Sequence, residues 1–146
     1  CDALAHGHQQ ILLRKGGIHE PDGAGRFKPR AQPFGLFPTR LHQRAEDLKD
    51  AHARQLAQPP PHWGDGTTAA IRHVATALAV FQCTSLDELG ALDDLHIYSR
   101  RAIVERFNFR RPALWLIALR VFDLAEGDVR IWSLEDRDRL CSSWLE

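Results

Sequence analysis

Residues 112–124, PALWLIALRVFDL, constrain the fold more than any other stretch of this sequence. Apolar side chains stand at consecutive positions, so a strand built from them is apolar on both of its faces. Such a strand is typical of the interior of a sheet that is covered on both sides. Arg120 interrupts the run, and we expect its guanidinium group to need a buried partner.

Other segments predict further strands. The first 15 residues are expected to form a β-hairpin around Gly7, with QQILLRK as its second arm. In that arm, alternation places Ile11 and Leu13 on one face. Short strands are also expected at residues 34–37, at HIYS (96–99) and at RIWSL (130–134).

Three segments predict helices. The clearest is residues 39–58, with Thr39 as N-cap and an apolar stripe of Leu41, Ala45, Leu48, His52 and Leu56. Two shorter helices are expected in TSLDELGAL, capped by Ser85 or Thr84, and in RRAIVERF, capped by Ser99. The pattern of residues 67–83 fits either a helix or an alternating strand.

Length and composition fit a single domain over residues 1–146, with 44% hydrophobic and 26% charged residues. The sequence has no apolar run of the roughly 18 residues that a membrane span requires, and no secretory signal pattern. Three scattered cysteines without C-x-x-C spacing argue against a disulfide scaffold. We therefore expect a cytoplasmic protein that does not enter a membrane. Because the sequence lacks Met and starts at Cys1, and because it stops abruptly at CSSWLE, we also expect truncation at both ends.

Four sequence blocks occur in a fixed order along the chain: ILLRKGGI, GLFPTRLHQ, HIYSRRAIVERFNFRRPALWLIALRVF and CSSWLE. As an ordered set they resemble the bacterial domain-of-unknown-function family 1802, over nearly the whole chain. The resemblance implies a strand over residues 67–83, because the matching segment of the family is richer in β-branched residues. It implies no activity and supplies no catalytic residue.

Together, these patterns predict an α+β fold. We expect a mixed, mainly antiparallel, partly closed sheet with about three short helices.

The total charge is zero, but the charge is unevenly distributed along the chain. Residues 1–45 hold seven basic and three acidic groups, and residues 100–120 hold six and one. A neutral total is not typical of a general nucleic-acid binder. The two basic segments could still form one local basic face.

Both basic segments mix arginine with phenylalanine. Arg26 lies in GRFKPR, and Arg100 and Arg106 lie in RRAIVERFNFRRP, beside Phe107 and Phe109. Arginine binds phosphates through paired N–H groups, and exposed aromatic rings stack on bases. The alternative is solvated charge with the phenylalanines in the core.

The stretch ILLRKGGIHE leaves two interpretations open. It is either a strand that enters a glycine turn, or a strand whose end brings Arg14, Lys15 and Glu20 to a ligand site. Eight histidines show no metal-ligand spacing, so we expect neither a metal site nor a cofactor. His96 is interpreted as a partly buried histidine, with a role as acid or base as its alternative.

Three functions follow as hypotheses. The first is a non-catalytic module for single-stranded or structured nucleic acid or a nucleotide, using the five basic residues Arg14, Lys15, Arg26, Arg100 and Arg106. The second is an enzyme acting on phosphorylated or nucleic-acid substrates, with Glu20, His42 or His96 as acid or base. The third is a protein-interaction domain, supported if Trp63 or Trp132 is exposed. A cleft that holds a carboxylate and a histidine beside basic groups would favour the enzyme.

Overall fold

A curled, antiparallel five-stranded sheet dominates the computed structural model, which describes residues 1–15, 33–38, 44–57, 68–133 and 144–145. A second sheet has two strands, and four short α-helices accompany the two sheets in these ranges. The strands are β1 (Ile11–Arg14), β2 (Phe34–Leu36), β3 (Thr68–Ile71), β4 (His73–Cys83), β5 (Leu114–Asp123), β6 (Arg130–Ser133) and β7 (Trp144–Leu145). The helices are α1 (Asp2–Ala5), α2 (Asp50–Ala53), α3 (Leu86–Ala91) and α4 (Arg100–Asn108). The predicted α+β fold is confirmed.

Strand β5 lies inside the larger sheet, whose order is β1-β5-β4-β2-β7, and it pairs antiparallel with β1 and β4. Leu114 and Leu116 belong to the core on one face, and Ile117 and Leu119 to the core on the other. The predicted strand with two covered faces is therefore confirmed. The expectation of a buried partner for Arg120 is wrong, because this side chain lies beyond the covered part of β5 and is exposed.

Helices α3 and α4 cover one face of the sheet. Ile103 and Phe107 share the buried side of α4, as their i, i+4 spacing requires, and Leu89 is the buried residue of α3. The predicted caps are confirmed: the Ser85 side chain accepts hydrogen bonds from two backbone N–H groups of α3, and Ser99 accepts one from Ala102. These caps fix where each helix begins.

Strand β1 is an edge of the sheet, and side chains occupy two of its carbonyl groups. The buried Gln9 amide donates to the Ile11 carbonyl at 2.9 Å, and Arg106 donates to the Leu13 carbonyl at 3.3 Å. Because an open strand edge can pair with another chain, these contacts protect β1. The Arg106 contact also attaches α4 to β1.

The prediction of a strand over residues 67–83 is confirmed for residues 68–83, with an interruption at Arg72. Residues before Arg72 pair with β6 and residues after it pair with β5, so one segment joins the two sheets. A register shift at Leu78 marks a bulge in β4. HIYS, by contrast, contributes only the isolated pairing of Tyr98 with Leu48.

The predicted N-terminal hairpin is wrong in its first arm. Asp2–Ala5 form helix α1, and Gly7 leaves it with a φ of 72° in the left-handed region that glycine tolerates. Ala and Leu are strong helix formers, and Leu4 packs against the core under β5. Packing of α1 against this core therefore replaced the expected strand pairing.

The single helix expected over residues 39–58 is also wrong. A 3₁₀ turn at Ala45–Asp47 precedes α2, and extended backbone at Leu48 and Lys49 separates them. The backbone N–H of Lys49 donates to the Ile97 carbonyl, so contacts with a distant segment interrupt the helical pattern. The predicted cap Thr39 and Leu41 lie outside the described residues.

No helix in the described ranges is both long and apolar enough to cross a membrane.

Truncation of Leu116 tests the core. Leu116 is 1% exposed, so Leu116→Ala is expected to lower the free energy of unfolding by about 2–5 kcal/mol through lost burial and a residual cavity. Ile131→Ala, in an exposed position of β6, serves as the control and should cost less than about 1 kcal/mol. Urea denaturation measures both values, and equal losses would contradict the assignment of the core.

Candidate nucleic-acid interface

Lys15 joins the end of β1 to the end of α4. Its ammonium group donates to the carbonyl oxygens of Phe107, at 2.6 Å, and Ala113, at 2.8 Å, and also to that of Arg111. An ammonium group has three N–H donors, so these three carbonyls use all of them. We call this arrangement the Lys15 clamp.

The Lys15 clamp changes the electrostatics at the end of α4. The last carbonyls of a helix lack intrahelical partners and carry a partial negative charge. Lys15 satisfies the carbonyl of Phe107 and places a positive charge at this end. Partial desolvation lowers the pKa of Lys15 from its ordinary value, while the three carbonyls favour its charged form. The end of α4 is thereby made compatible with a negatively charged ligand.

The segment that follows α4 is held in two successive tight turns. The Arg111 N–H donates to the Phe109 carbonyl at 2.9 Å, and the Ala113 N–H donates to the Arg111 carbonyl at 2.8 Å. Arg110, the central residue of the first turn, has a φ of 65°, a left-handed conformation that residues other than glycine rarely adopt. These turns and the Lys15 clamp fix the direction in which residues 109–111 project.

Four side chains form what we call the α4-end surface: Arg106, Phe109, Arg110 and Arg111. The Phe109 ring is 57% exposed, and the guanidinium carbon of Arg110 lies 5.1 Å from its centroid. The guanidinium carbon of Arg106 lies 5.6 Å from the Tyr98 ring centroid, and the same guanidinium group contacts β1. Within the described ranges, none of these three guanidinium groups contacts a carboxylate. The surface thus combines exposed positive charge with an exposed aromatic ring.

Arg101, in contrast to these three arginines, is paired with carboxylates. It donates to Glu105 at 2.9 Å and to Asp47 at 3.3 Å, and also to the Glu46 carbonyl. These contacts bind α4 to the turn before α2 and neutralise the only acidic side chain of α4. Arg101 is therefore part of the scaffold.

The remaining basic candidates lie apart from the α4-end surface. Arg100 is exposed and lies against Gly90, where an added Cβ would stand 3.2 Å from the arginine nitrogen. Arg106 follows six positions later, which places the two about 120° apart around the helix. Arg14 stands opposite Trp115, and strand alternation directs it to the sheet face away from Leu13. Three further candidates lie outside the described residues: Glu20, Arg26 and His42.

His96 is buried between charged groups. Its side chain is 1% exposed, and within the described part of the chain neither ring nitrogen has a hydrogen-bond partner. Its Nε2 lies 3.9 Å from an Asp93 carboxylate oxygen, and the Lys49 ammonium binds the other oxygen at 2.9 Å. Burial lowers the pKa of His96, Lys49 lowers it further, and Asp93 opposes both. His96 is thus held in its neutral form.

The group of Lys49, Asp93 and His96 has the composition that the enzyme hypothesis requires, but not the access. Lys49 is engaged by the Asp93 carboxylate and by the backbone carbonyls of Asp93 and His96. A general acid or base must come within hydrogen-bond reach of a substrate, and the His96 ring is enclosed. This geometry favours a structural role for the group.

Three other histidines have neighbouring rings. The rings of His6 and His8 are 6.2 Å apart, and those of His8 and His52 are 5.4 Å apart. Among the described residues, no three metal-ligating side chains are arranged to hold an ion.

Sequence reasoning missed the clamp and the difference between two phenylalanines. Phe107 is in the core, four residues after Ile103 on the same helix face, whereas Phe109 follows the helix and is exposed. The i, i+4 spacing could have separated them. No comparable pattern indicates the partners of Lys15, because they lie more than 90 positions away.

Replacement of Lys15 tests the clamp. Lys15→Met keeps most of the apolar stem but removes the charged donor, and we expect the free energy of unfolding to fall by about 1–3 kcal/mol. Arg111→Met is the control, because it removes a nearby exposed charge and leaves the three carbonyl contacts in place. It should change stability by less than about 0.5 kcal/mol. Similar losses in the two variants would show that charge, and not the clamp, is responsible.

The burial of His96 predicts a pH dependence. Because the pKa of His96 is lowered in the folded state, the unfolded chain binds this proton first as the pH falls. Stability is retained above about pH 6.5, the ordinary value, and is lost as the pH falls from there towards the lowered pKa. His96→Phe should therefore lose less stability than wild type between pH 7.5 and pH 5 in urea denaturation. His6→Gln, at an exposed ring, should match wild type, and an unchanged loss in His96→Phe would contradict the assignment.

Of the comparisons with known proteins, one found a match. No curated protein and no solved structure matches the chain significantly. A family model described as Domain of unknown function (DUF1802) matches residues 1–146, which is the whole chain. The match confirms the family resemblance of the four ordered sequence blocks, and the chain therefore belongs to the DUF1802 family.

Proposed function

We propose that this domain is a non-catalytic module that binds single-stranded nucleic acid through the α4-end surface. The observation that carries the proposal is the exposed ring of Phe109 beside guanidinium groups that have no carboxylate partner in the described ranges. Arginine binds phosphate groups through paired N–H donors, and an exposed aromatic ring stacks on a base. The surface offers both contacts within three consecutive residues.

The local charge supports an anionic partner. Residues 100–111 contain five arginines and one glutamate, and Glu105 is paired with Arg101. The Lys15 clamp adds a positive charge where the helix end would otherwise repel phosphate. A phosphate approaching residues 109–111 therefore meets positive charge from the side chains and from the clamp.

The shape of the surface favours a single strand over a duplex. Helix α4 packs Ile103 and Phe107 against the sheet, and the basic groups of the α4-end surface cluster at its end. A major-groove reader instead presents the length of a helix or a ribbon to base edges. The face of a base is available to Phe109 only where that base is unpaired.

A free nucleotide carries the same two features, a phosphate and a base, and is the smaller alternative ligand. It would make fewer phosphate contacts than a strand. Competition between a mononucleotide and an oligonucleotide therefore distinguishes the two ligands.

We further propose that the protein works in the cytoplasm of a bacterium. Cys83 supports a reducing compartment, because it is a buried free thiol whose single S–H lies within hydrogen-bond reach of two acceptors, the Ser85 carbonyl and the Glu88 carboxylate. Burial raises the pKa of this thiol, which keeps it protonated and unreactive.

Charge reversal tests the proposed function. Arg110→Glu combined with Arg111→Glu should weaken binding of a labelled single-stranded oligonucleotide about tenfold or more in fluorescence anisotropy. The slope of log K against log salt should also become shallower, by about 0.7 for each of the two arginines that contacts a phosphate of the single strand. The matched control is Arg120→Glu combined with Arg130→Glu, which changes the net charge equally at exposed positions elsewhere in the fold.

The control pair should retain most of the wild-type affinity and slope. An equal loss of affinity in both double variants would show that the effect depends on net charge, and it would contradict binding at a specific surface. No binding by wild type at low salt would remove nucleic acid as the partner. If a mononucleotide competes with the oligonucleotide at a similar concentration, the ligand is a nucleotide and not a strand.

A further inference from the structure

We propose that the Phe109 ring and the Arg110 guanidinium take one unpaired base between them. This proposal rests on the proposed function. The two groups are adjacent in sequence, and the guanidinium carbon lies over the ring, 5.1 Å from its centroid. Both an aromatic ring and a guanidinium plane stack on bases. The pair therefore offers a stacking partner for each face of the same base.

The spacing is close to what such a complex requires. Stacked planar groups lie about 3.5 Å apart, so a base between two partners needs them about 7 Å apart. The Arg110 guanidinium must therefore move outwards by about 2 Å. Rotation about its side-chain bonds supplies this movement, because these bonds have several staggered states of similar energy.

The backbone around the pair keeps Phe109 in position while the Arg110 side chain moves. The carbonyl of Phe109 accepts the Arg111 N–H, and the Lys15 clamp holds the carbonyls of Phe107, Arg111 and Ala113. Phe107 occupies the core beneath the end of α4, and the Phe109 ring is exposed. The exposed ring is thus presented before any ligand arrives.

The left-handed backbone of Arg110 is consistent with a functional demand. A φ of 65° is unfavourable for arginine and favourable for glycine, yet arginine occupies this position. Strained residues persist where the surrounding structure holds them and where their side chain is needed. Here the left-handed residue directly follows Phe109, and its guanidinium carbon lies 5.1 Å from the ring centroid.

The ligand class follows from this geometry. The site takes the face of a base and makes no contact that distinguishes one base edge from another, so it should tolerate any sequence. It excludes paired bases, because both of their faces are covered in the duplex. A purine, with the larger ring system, should bind more tightly than a pyrimidine.

An oligonucleotide with a single base tests the proposal directly. Two labelled DNA hexamers are compared by fluorescence anisotropy: a fully abasic strand, and the same strand with one adenine. Because the strand can slide until the adenine reaches the site, its position in the hexamer need not be known. Wild type should bind the adenine strand about 5- to 150-fold more tightly, the range that stacking of one base supports.

Three variants identify the stacking partners. Phe109→Ala should reduce the ratio of the two affinities to about 1, while binding of the abasic strand is retained. Arg110→Gly removes the guanidinium and keeps the left-handed turn, and it should lower the ratio in part. Phe122→Ala is the matched control, since Phe122 is 49% exposed on β5, and it should keep the wild-type ratio.

The outcomes separate this inference from the proposed function. If wild type binds both hexamers equally, the base site is wrong, and phosphate binding by the α4-end surface stands. If Phe122→Ala abolishes the preference instead, the base stacks on the sheet and the inference is overturned. If wild type binds neither hexamer nor an ordinary single strand at low salt, the proposed function fails, and this inference fails with it.

Discussion

The ammonium group of Lys15 connects the sheet, the last turn of α4 and the loop that leads back into β5. One cation satisfies three carbonyl groups from residues 107–113, and its own backbone directly follows β1. A second lysine acts in the same way, since Lys49 binds the carbonyls of Asp93 and His96. A compact ammonium group suits several converging carbonyls, whereas the planar guanidinium suits phosphate and stacked rings. In the described ranges, the lysines hold the scaffold and arginines supply the exposed charge.

Elements whose stability is local could be predicted from the sequence. The run at β5 is apolar at both even and odd positions, and the structure buries both faces. Helices α3 and α4 begin at the serines that were expected to cap them, because a cap depends on residues only two or three positions away.

Elements that depend on distant contacts could not be predicted in this way. Residues 45–57 carry a helical stripe, yet the pairing of Leu48 with Tyr98 and the contacts of Lys49 interrupt the helix. Helix α1 replaced a strand because its apolar side packs under β5. The candidate site follows the same division. The cluster of arginines near Phe109 was evident in the sequence, but the attachment of Lys15 to α4 joins positions more than 90 residues apart.

The central claim is that the α4-end surface, and not the rest of the basic residues, contacts single-stranded nucleic acid. The most direct measurement is an NMR titration of ¹⁵N-labelled protein with a single-stranded DNA hexamer, following the arginine Nε–Hε signals. The account predicts saturable shifts for Arg110 and Arg111. Arg101, which is paired with carboxylates, and Arg120, on the sheet, should remain unchanged. Shifts confined to Arg120, or the absence of any shift at low salt, would contradict the account.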